Sequence, residues 1–344
     1  MNPQDIGGPA QPLLIGADLV KHFPLKGGLG KAERVRALDG IAFSVMKGET
    51  LGVVGESGCG KSTTARVLMQ LIEQDSGELI FDGLTVGGSQ LSLRDYRRQV
   101  QMVFQDSYSS LNPRLTMQAA IAFGPSVHGV PAAEAKRRAR NLLDKVGLDP
   151  ARFAGRYPHE LSGGQRQRVN IARALAVEPR LVILDEAVSA LDKSVEAQVI
   201  NLLLDLKESM NLTYVFISHD LHVVRYLSDR IMVMYLGEVV EVGPVESLFE
   251  QARHPYTRAL LSSMPSMDPG ARTQQAPLIG DPPSPIRPPS GCRFHTRCPH
   301  AEAVCAQRKP IMSSCGDGHQ VACLMVEPDA GHSLSAAGLS AEEV

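Results

Sequence analysis

The stretch GESGCGKS at residues 55–62 constrains this chain more than any other part of it. It satisfies G-x-x-x-x-G-K-[ST] with Gly55, Gly60, Lys61 and Ser62, a pattern in which glycines let backbone N–H groups close around phosphate oxygens. The flanks have the required character. LGVV at 51–54 is a short apolar run, and the following KSTTARVLMQLIE repeats apolar residues at helical spacing through Ala65, Leu68, Met69 and Ile72. Strand, glycine loop and helix in that order predict a nucleotide phosphate cradle, with Lys61 reaching the β and γ phosphates and Ser62 holding Mg²⁺. Glu56, Ser57, Gly58 and Cys59 fill the variable positions, and Thr63 opens the helix beyond them.

Further strand signals follow at QVQMVFQ (99–105), LVILDE (181–186), TYVFIS (213–218) and RIMVMY (230–235), separated by helical stretches such as SVEAQVINLLLDLKES. Alternation of this kind predicts an α/β fold with a parallel sheet. From about 115 to 175 the strand signals give way to helical ones: PAAEAKRRARNLLDKVG opens on a proline and closes on Gly147, which predicts a helical insertion. Parallel sheets bind ligands beyond the carboxyl ends of their strands. LVILDE releases two carboxylates there, Asp185 for Mg²⁺ and Glu186 for polarising the attacking water. TYVFISHD ends on His219, placed to hydrogen-bond a γ phosphate, and Gln105 ends its strand where it can touch Mg²⁺ or the water.

A second anion site lies in the insertion. LSGGQRQRVNIARALA at 161–176 puts Ser162, Gly163, Gly164 and Gln165 at the start of a helix, where backbone N–H groups are free and the dipole is positive. A nucleic-acid partner has no electrostatic basis, since 35 Lys and Arg stand against 37 Asp and Glu, a formal charge of -2. No apolar run approaches the roughly 18 residues of a membrane span, and MNPQDIGGPAQPLL lacks the basic and apolar regions of a signal peptide. The chain is expected in the cytoplasm, with any membrane role arising through a partner.

Taken in order, GESGCGKST, VFQD, LSGGQRQR, LVILDE, SALD and SHD resemble the nucleotide-binding subunits of ABC transporters. VFQDSYSSLNPR, HPYTRALLSSMP and GCRFHTRCPHA are similar to the dipeptide and oligopeptide import branch. The resemblance implies a P-loop NTPase domain of ABC type over 13–264, with a helical subdomain over about 106–175. A C-terminal extension of the oligopeptide-transporter type over 265–325 and flexible termini at 1–12 and 326–344 complete the expected layout. In this family two subunits pair head to tail, so Ser162, Gly163 and Gly164 would meet ATP held by the neighbouring chain, which explains two cradles in one protein. The resemblance also implies that Phe23 stacks on adenine, the alternative being a core residue, and that Asp192 of SALD communicates across the dimer.

It further implies that the segment from Gln105 to Arg114 receives a permease. One departure stands out: many relatives read DEPTSALD where this chain has DEAVSALD, with Ala187 and Val188. Neither position carries a catalytic group, so activity is expected to survive. The implied role is hydrolysis of ATP, with Mg²⁺, to energise import. The implied partners are two transmembrane permease subunits, a second ATPase subunit (heterodimer or homodimer) and an extracytoplasmic solute-binding protein, with this chain peripheral at the cytoplasmic face of the inner membrane. The alternative is the same role for another small solute, such as nickel or glutathione. A soluble ABC ATPase of translation or DNA repair is disfavoured by the single P-loop and the lack of sustained heptads.

The end of the chain differs in texture. Ten of the 23 prolines fall from Pro265 to Pro310, which predicts a linker, and five of the six cysteines follow in GCRFHTRCPHAEAVCAQRKPIMSSCGDGHQVAC. Cys292, Cys298, Cys305 and Cys323 are separated by five, six and seventeen residues, unlike the short pairs of common zinc sites. Four thiolates at such spacing suit a [4Fe-4S] cluster, which some peptide-importer ATPases resemble in carrying. Cys315 is left over, and His295, His300 and His319 keep a mixed zinc site, or simply free thiols, as alternatives.

Overall fold

The structure is a computed structural model and describes residues 11–25, 33–264 and 280–335. In chain order the strands are β1 (Pro12–Pro24), β2 (Arg34–Met46), β3 (Thr50–Val54), β4 (Ser76–Phe81), β5 (Leu84–Thr85), β6 (Val100–Val103), β7 (Leu181–Asp185), β8 (Thr213–Ile217), β9 (Arg230–Tyr235), β10 (Glu238–Pro244), β11 (Ser313–Ser314) and β12 (Gln320–Val321). The helices are α1 (Lys61–Leu68), α2 (Leu93–Gln99), α3 (Met117–Val127), α4 (Ala132–Lys145), α5 (Pro150–Phe153), α6 (Gly163–Leu175), α7 (Lys193–Met210), α8 (Leu221–Leu227), α9 (Val245–Gln251), α10 (Pro255–Ser262) and α11 (Ala303–Gln307). None is long and apolar enough to cross a membrane.

The larger sheet runs β11-β12-β10-β9-β3-β8-β7-β6, and its five strands from β9 to β6 are parallel. All residues of β3, β7 and β8 are buried, as continuous apolar runs in a covered parallel sheet should be. Their side chains alternate between two cores. Leu51, Ile183, Val215, Ile217, Met232 and Met234 point toward α1 and the second sheet, whereas Val182, Leu184, Tyr214, Phe216 and Val233 face the helices on the other side. The register aligns the strand ends: Val53 pairs with Ile217, Asp185 with Ile217, and Val103 with Leu184. The loops that carry Gly55, Gln105, Glu186 and His219 therefore open along one edge.

The second sheet, β2-β1-β4-β5, is antiparallel. The reading of one parallel sheet omits it, because β1 and β2 pair through several bulges that blur a period-two pattern. The first helix is also shorter than its apolar spacing predicts. It stops at Leu68, Gln70 takes a positive φ of 54°, and Ile72 lies beyond the helix.

Between β6 and β7 the chain is helical, and α3, α4 and α6 pack on one another. There Thr116 caps α3, while α4 lies within the stretch from Pro131 to Gly147, whose φ is 73°. The predicted linker is only partly visible: 265–279 lie outside the described residues, as do 1–10 and 336–344. From 280 onward the chain folds back on the large sheet. There β12 pairs with β10, His319 Nε2 lies 2.8 Å from the buried Glu241 carboxylate, and Arg293 binds Asp39 and Glu238. Residues 326–335, expected to belong to a flexible terminus, are instead anchored. Glu327 is buried and accepts hydrogen bonds from Arg308 and the Ile311 amide, and His332 is buried against the His300 carbonyl.

Candidate nucleotide site

The glycine loop between β3 and α1 has a backbone that other residues could not follow. Gly55, Gly58 and Gly60 have φ of 149°, 79° and 114°. A Cβ on Gly55 would stand 2.2 Å from the Met234 carbonyl oxygen, and one on Gly60 2.5 Å from that of Ala37. Lys61 is buried at the first turn of α1, its Nζ donating to the carbonyls of Gly55 at 2.6 Å and Glu56 at 3.0 Å. That wraps the loop around the ammonium; the amides of Glu56 and Cys59 are spent within the protein, on Tyr256 Oη and the Glu56 carbonyl. Cys59 is buried beneath it, and burial pushes its thiol pKa up against the opposing pull of Lys61.

Ser62 Oγ donates to Asp185 Oδ1 at 3.3 Å, bringing hydroxyl and carboxylate side by side. Burial, with Glu186 adding repulsion, raises the Asp185 pKa above the ordinary carboxylate value. A buried acid beside a hydroxyl is the donor set a hard divalent cation favours, so these two residues fit Mg²⁺. Glu186 follows at a left-handed φ of 48°, which turns its side chain out of the strand. Its Oε2 accepts from Gln105 Nε2 at 2.6 Å, and its Oε1 lies 3.6 Å from His219 Nδ1. Three residues named from separate strand ends thus meet around one carboxylate.

Phe23, Ser57, Gly58, Gly60, Lys61, Ser62, Thr63, Glu186 and His219 line one open cleft of about 510 Å³. Val35 and Ala37 of β2 complete its wall. Sequence reasoning missed both, since neither type signals chemistry and the strand pairing that brings β2 beside Phe23 is not local.

Asp192 and the residues of the second cradle do not line this cleft. Ser162 caps α6 in a capping box: its Oγ accepts from the Gln165 amide at 3.3 Å while Gln165 Oε1 accepts from the Ser162 amide at 3.0 Å. Gly164 lets α6 approach α7, since a Cβ there would stand 2.3 Å from Val195 Cγ1. Asp192 is the N-cap residue of α7, without a side-chain cap bond. The segment after Gln105 is tied to α6, where Asn170 Nδ2 donates to the Ser107 carbonyl at 3.0 Å and Arg173 donates to that of Ser110.

In the extension, Cys292, Cys298, Cys305 and Cys323 line one pocket together with His254, His295, His300 and His332. Burial pushes the thiols of Cys292, Cys298 and Cys323 up, Cys292 to about 12 and Cys323 to about 11, and neighbouring sulfurs add to the shifts. Cys315 stays apart, its amide bonded to the His319 carbonyl, and His319 serves Glu241. Among the described residues no group of three or more His, Cys, Asp or Glu is arranged to hold a metal ion. The mixed Cys/His zinc site therefore gains no support from the geometry. The iron–sulfur cluster has only the shared pocket and the chemistry of its four thiols in its favour.

Residues 38–189 match the family described as ABC transporter, and residues 240–305 match the one described as Oligopeptide/dipeptide transporter, C-terminal region. The probable peptide ABC transporter ATP-binding protein y4tS of Sinorhizobium fredii is 48% identical over 95% of this chain and 94% of its own length. The oligopeptide transport ATP-binding protein AppF of Bacillus subtilis is 49% identical over 89% and 95%, and the dipeptide transport ATP-binding protein DppF of Haemophilus influenzae 46% over 92% and 97%. Among solved structures, the ATP-binding cassette MJ0796, in a dimeric post-hydrolysis state bound to ADP and Pi, superposes with a TM-score of 0.59 at 30% identity. It covers 67% of this chain and 98% of that one. The cbiO1 protein of Clostridium perfringens, part of an ABC transporter complex, gives 0.61 at 27% identity over 70% and 91%.

Proposed function

The chain belongs to the ATP-binding subunits of ABC transporters of the oligopeptide and dipeptide branch, and from that premise we infer that it hydrolyses ATP to energise peptide import. The observation that carries the chemistry is the Glu186 carboxylate, which accepts from Gln105 and has His219 3.6 Å away at the rim of the glycine-loop cleft. Loop N–H groups and Lys61 bind the phosphates, and Phe23 meets the base. Ser62 and Asp185 hold Mg²⁺, which when bound offsets phosphate charge. Glu186 accepts the proton of the attacking water, Gln105 orients that carboxylate, and His219 lies where it can donate to the γ phosphate.

The second cradle supports a shared site. Ser162, Gly163 and Gly164 begin α6 away from the cleft of their own chain, so they are left to serve a nucleotide on a neighbour, where the helix dipole adds about 0.3 to 1 kcal/mol. ATP then favours the closed pair over the open one, and hydrolysis removes the bridge. The helices between β6 and β7 act as the family's helical subdomain, and the exposed segment from Gln105 to Arg114 is the docking surface for a permease. Two permeases, a second ATPase and an external solute-binding protein complete the complex, with this chain peripheral at the cytoplasmic face.

Pull-down of the chain from membranes in mild detergent tests this assembly. Polytopic permeases and a second ATPase should copurify; recovery only with ribosomes or DNA would refute the import role. We propose the four cysteines that share one pocket as ligands for a [4Fe-4S] cluster; the shared pocket is what supports this, and no metal-holding group is found among the described residues. Anaerobically purified protein should then contain iron and show broad visible absorbance; protein lacking both carries no cluster.

A further inference from the structure

Arg297, immediately before Cys298, reaches out of the extension to the phosphate loop. Its Nη1 donates to Glu56 Oε2 at 2.7 Å and its Nη2 to Glu56 Oε1 at 3.1 Å, the two-pronged pairing of guanidinium with carboxylate. The arginine side chain is 5% exposed and the glutamate 22%. Nη1 also donates to Tyr235 Oη at 3.3 Å, with the guanidinium 5.9 Å from that ring's centroid.

Glu56 is the second residue of the loop and is held at three points. Its amide donates to Tyr256 Oη at 2.8 Å, its carboxylate takes the fork of Arg297, and its carbonyl accepts from Lys61. Tyr235, Tyr256 and Phe294 pack together beneath it, with ring centroids 4.6 to 5.4 Å apart. A loop with three glycines at positive φ has a permissive backbone, and binding must order whatever the fold has not. Fixing Glu56 on both sides settles the loop before the phosphates arrive. It also keeps a carboxylate beside a polyanion site paired with a cation.

We propose that Arg297 is a positioning residue for nucleotide binding: through its forked bond to Glu56 it holds the phosphate loop in its receptive shape, making the C-terminal extension a working part of the ATP site. The proposal rests on the reading of GESGCGKS as the ATP cradle. It does not depend on what occupies the cysteine pocket.

The test is equilibrium binding of a fluorescent ATP analogue to the full chain, with KM and kcat for ATP in the assembled transporter, for the wild type, R297M, R297K, E56Q and R297M/E56Q. R297M should weaken binding and raise KM about tenfold, with kcat nearly unchanged, and R297K, a cation without the fork, should recover part of the loss. In the E56Q background the further effect of R297M should shrink, because the partner carboxylate is gone. Unchanged affinity in R297M, or an equal loss in both backgrounds, would overturn the proposal. A lowered unfolding temperature with wild-type affinity would likewise reduce Arg297 to a structural brace. Should R297M fail to fold, R297K decides alone, and wild-type affinity there counts against the forked bond. A wild-type chain that binds no nucleotide would instead remove the cradle reading itself.

Discussion

Glu186 occupies a backbone conformation that disfavours any side chain but glycine, at a cost of about 1–2 kcal/mol. Its amide donates to the Ile217 carbonyl, Gln105 donates to its carboxylate at 2.6 Å, and His219 lies 3.6 Å away at the rim of the phosphate cleft. Glu186→Gln should leave ATP affinity near wild type and slow phosphate release by about 10²- to 10⁴-fold, the usual worth of a general base; undiminished release in the assembled complex would show that another group takes the proton. The residues proposed for catalysis were legible in the sequence because each follows an apolar strand, and parallel strands present their ends at one edge. Glu56 was legible only as a loop position. Its arginine lies 241 residues away, with no motif to announce it.

Helices α6 and α10 each carry a cap whose role can be measured. Ser162 caps α6, so Ser162→Ala should cost about 1 kcal/mol in stability. If the serine also binds a neighbour's phosphate, turnover in the complex should fall far more than that cost explains, by about 10²-fold for one lost oxyanion donor; turnover that merely tracks stability would leave Ser162 a cap and nothing else. At the start of α10, His254 accepts from the Tyr256 amide at 3.0 Å and is fully buried, which lowers its pKa to about 4 although Glu241 opposes the shift. The unfolded histidine titrates near its ordinary value of 6.5. As pH falls through the window from about 6.5 to about 4, the unfolded chain gains a proton that the folded one refuses, and stability is lost with a slope approaching 1.4 kcal/mol per pH unit. Urea unfolding at a series of pH values should show that loss, and His254→Asn, which keeps a capping acceptor, should flatten the curve. Parallel slopes for both proteins would assign the titration elsewhere. The helix cap of α6 could be read from LSGGQ alone, since Ser and Gln three apart spell a capping box. The antiparallel sheet could not, because bulged pairing over distant residues leaves no periodic trace.

At the scale of the molecule, the extension is joined to the nucleotide domain by strand pairing at β10–β12, by Arg293 on Asp39 and Glu238, and by Arg297 on Glu56. Proline density marks a change of texture in the sequence but gives no sign of this docking, because β12 and β10 pair across distant residues. The cleft of one chain gathers the glycine loop, Lys61, Ser62, Glu186 and His219, whereas Ser162, Gly163, Gly164 and Asp192 stand outside it. On the proposed reading a second copy or a paralogue finishes each site, and the pair works as a clamp on permeases. The most direct measurement is uptake of a labelled oligopeptide into sealed vesicles bearing the complex purified with this chain, with ATP supplied on the side the chain occupies. Uptake that requires ATP and is lost in Glu186→Gln is the predicted result. Steady ATP hydrolysis by the same vesicles, with no uptake of any peptide offered together with its binding protein, would contradict peptide import.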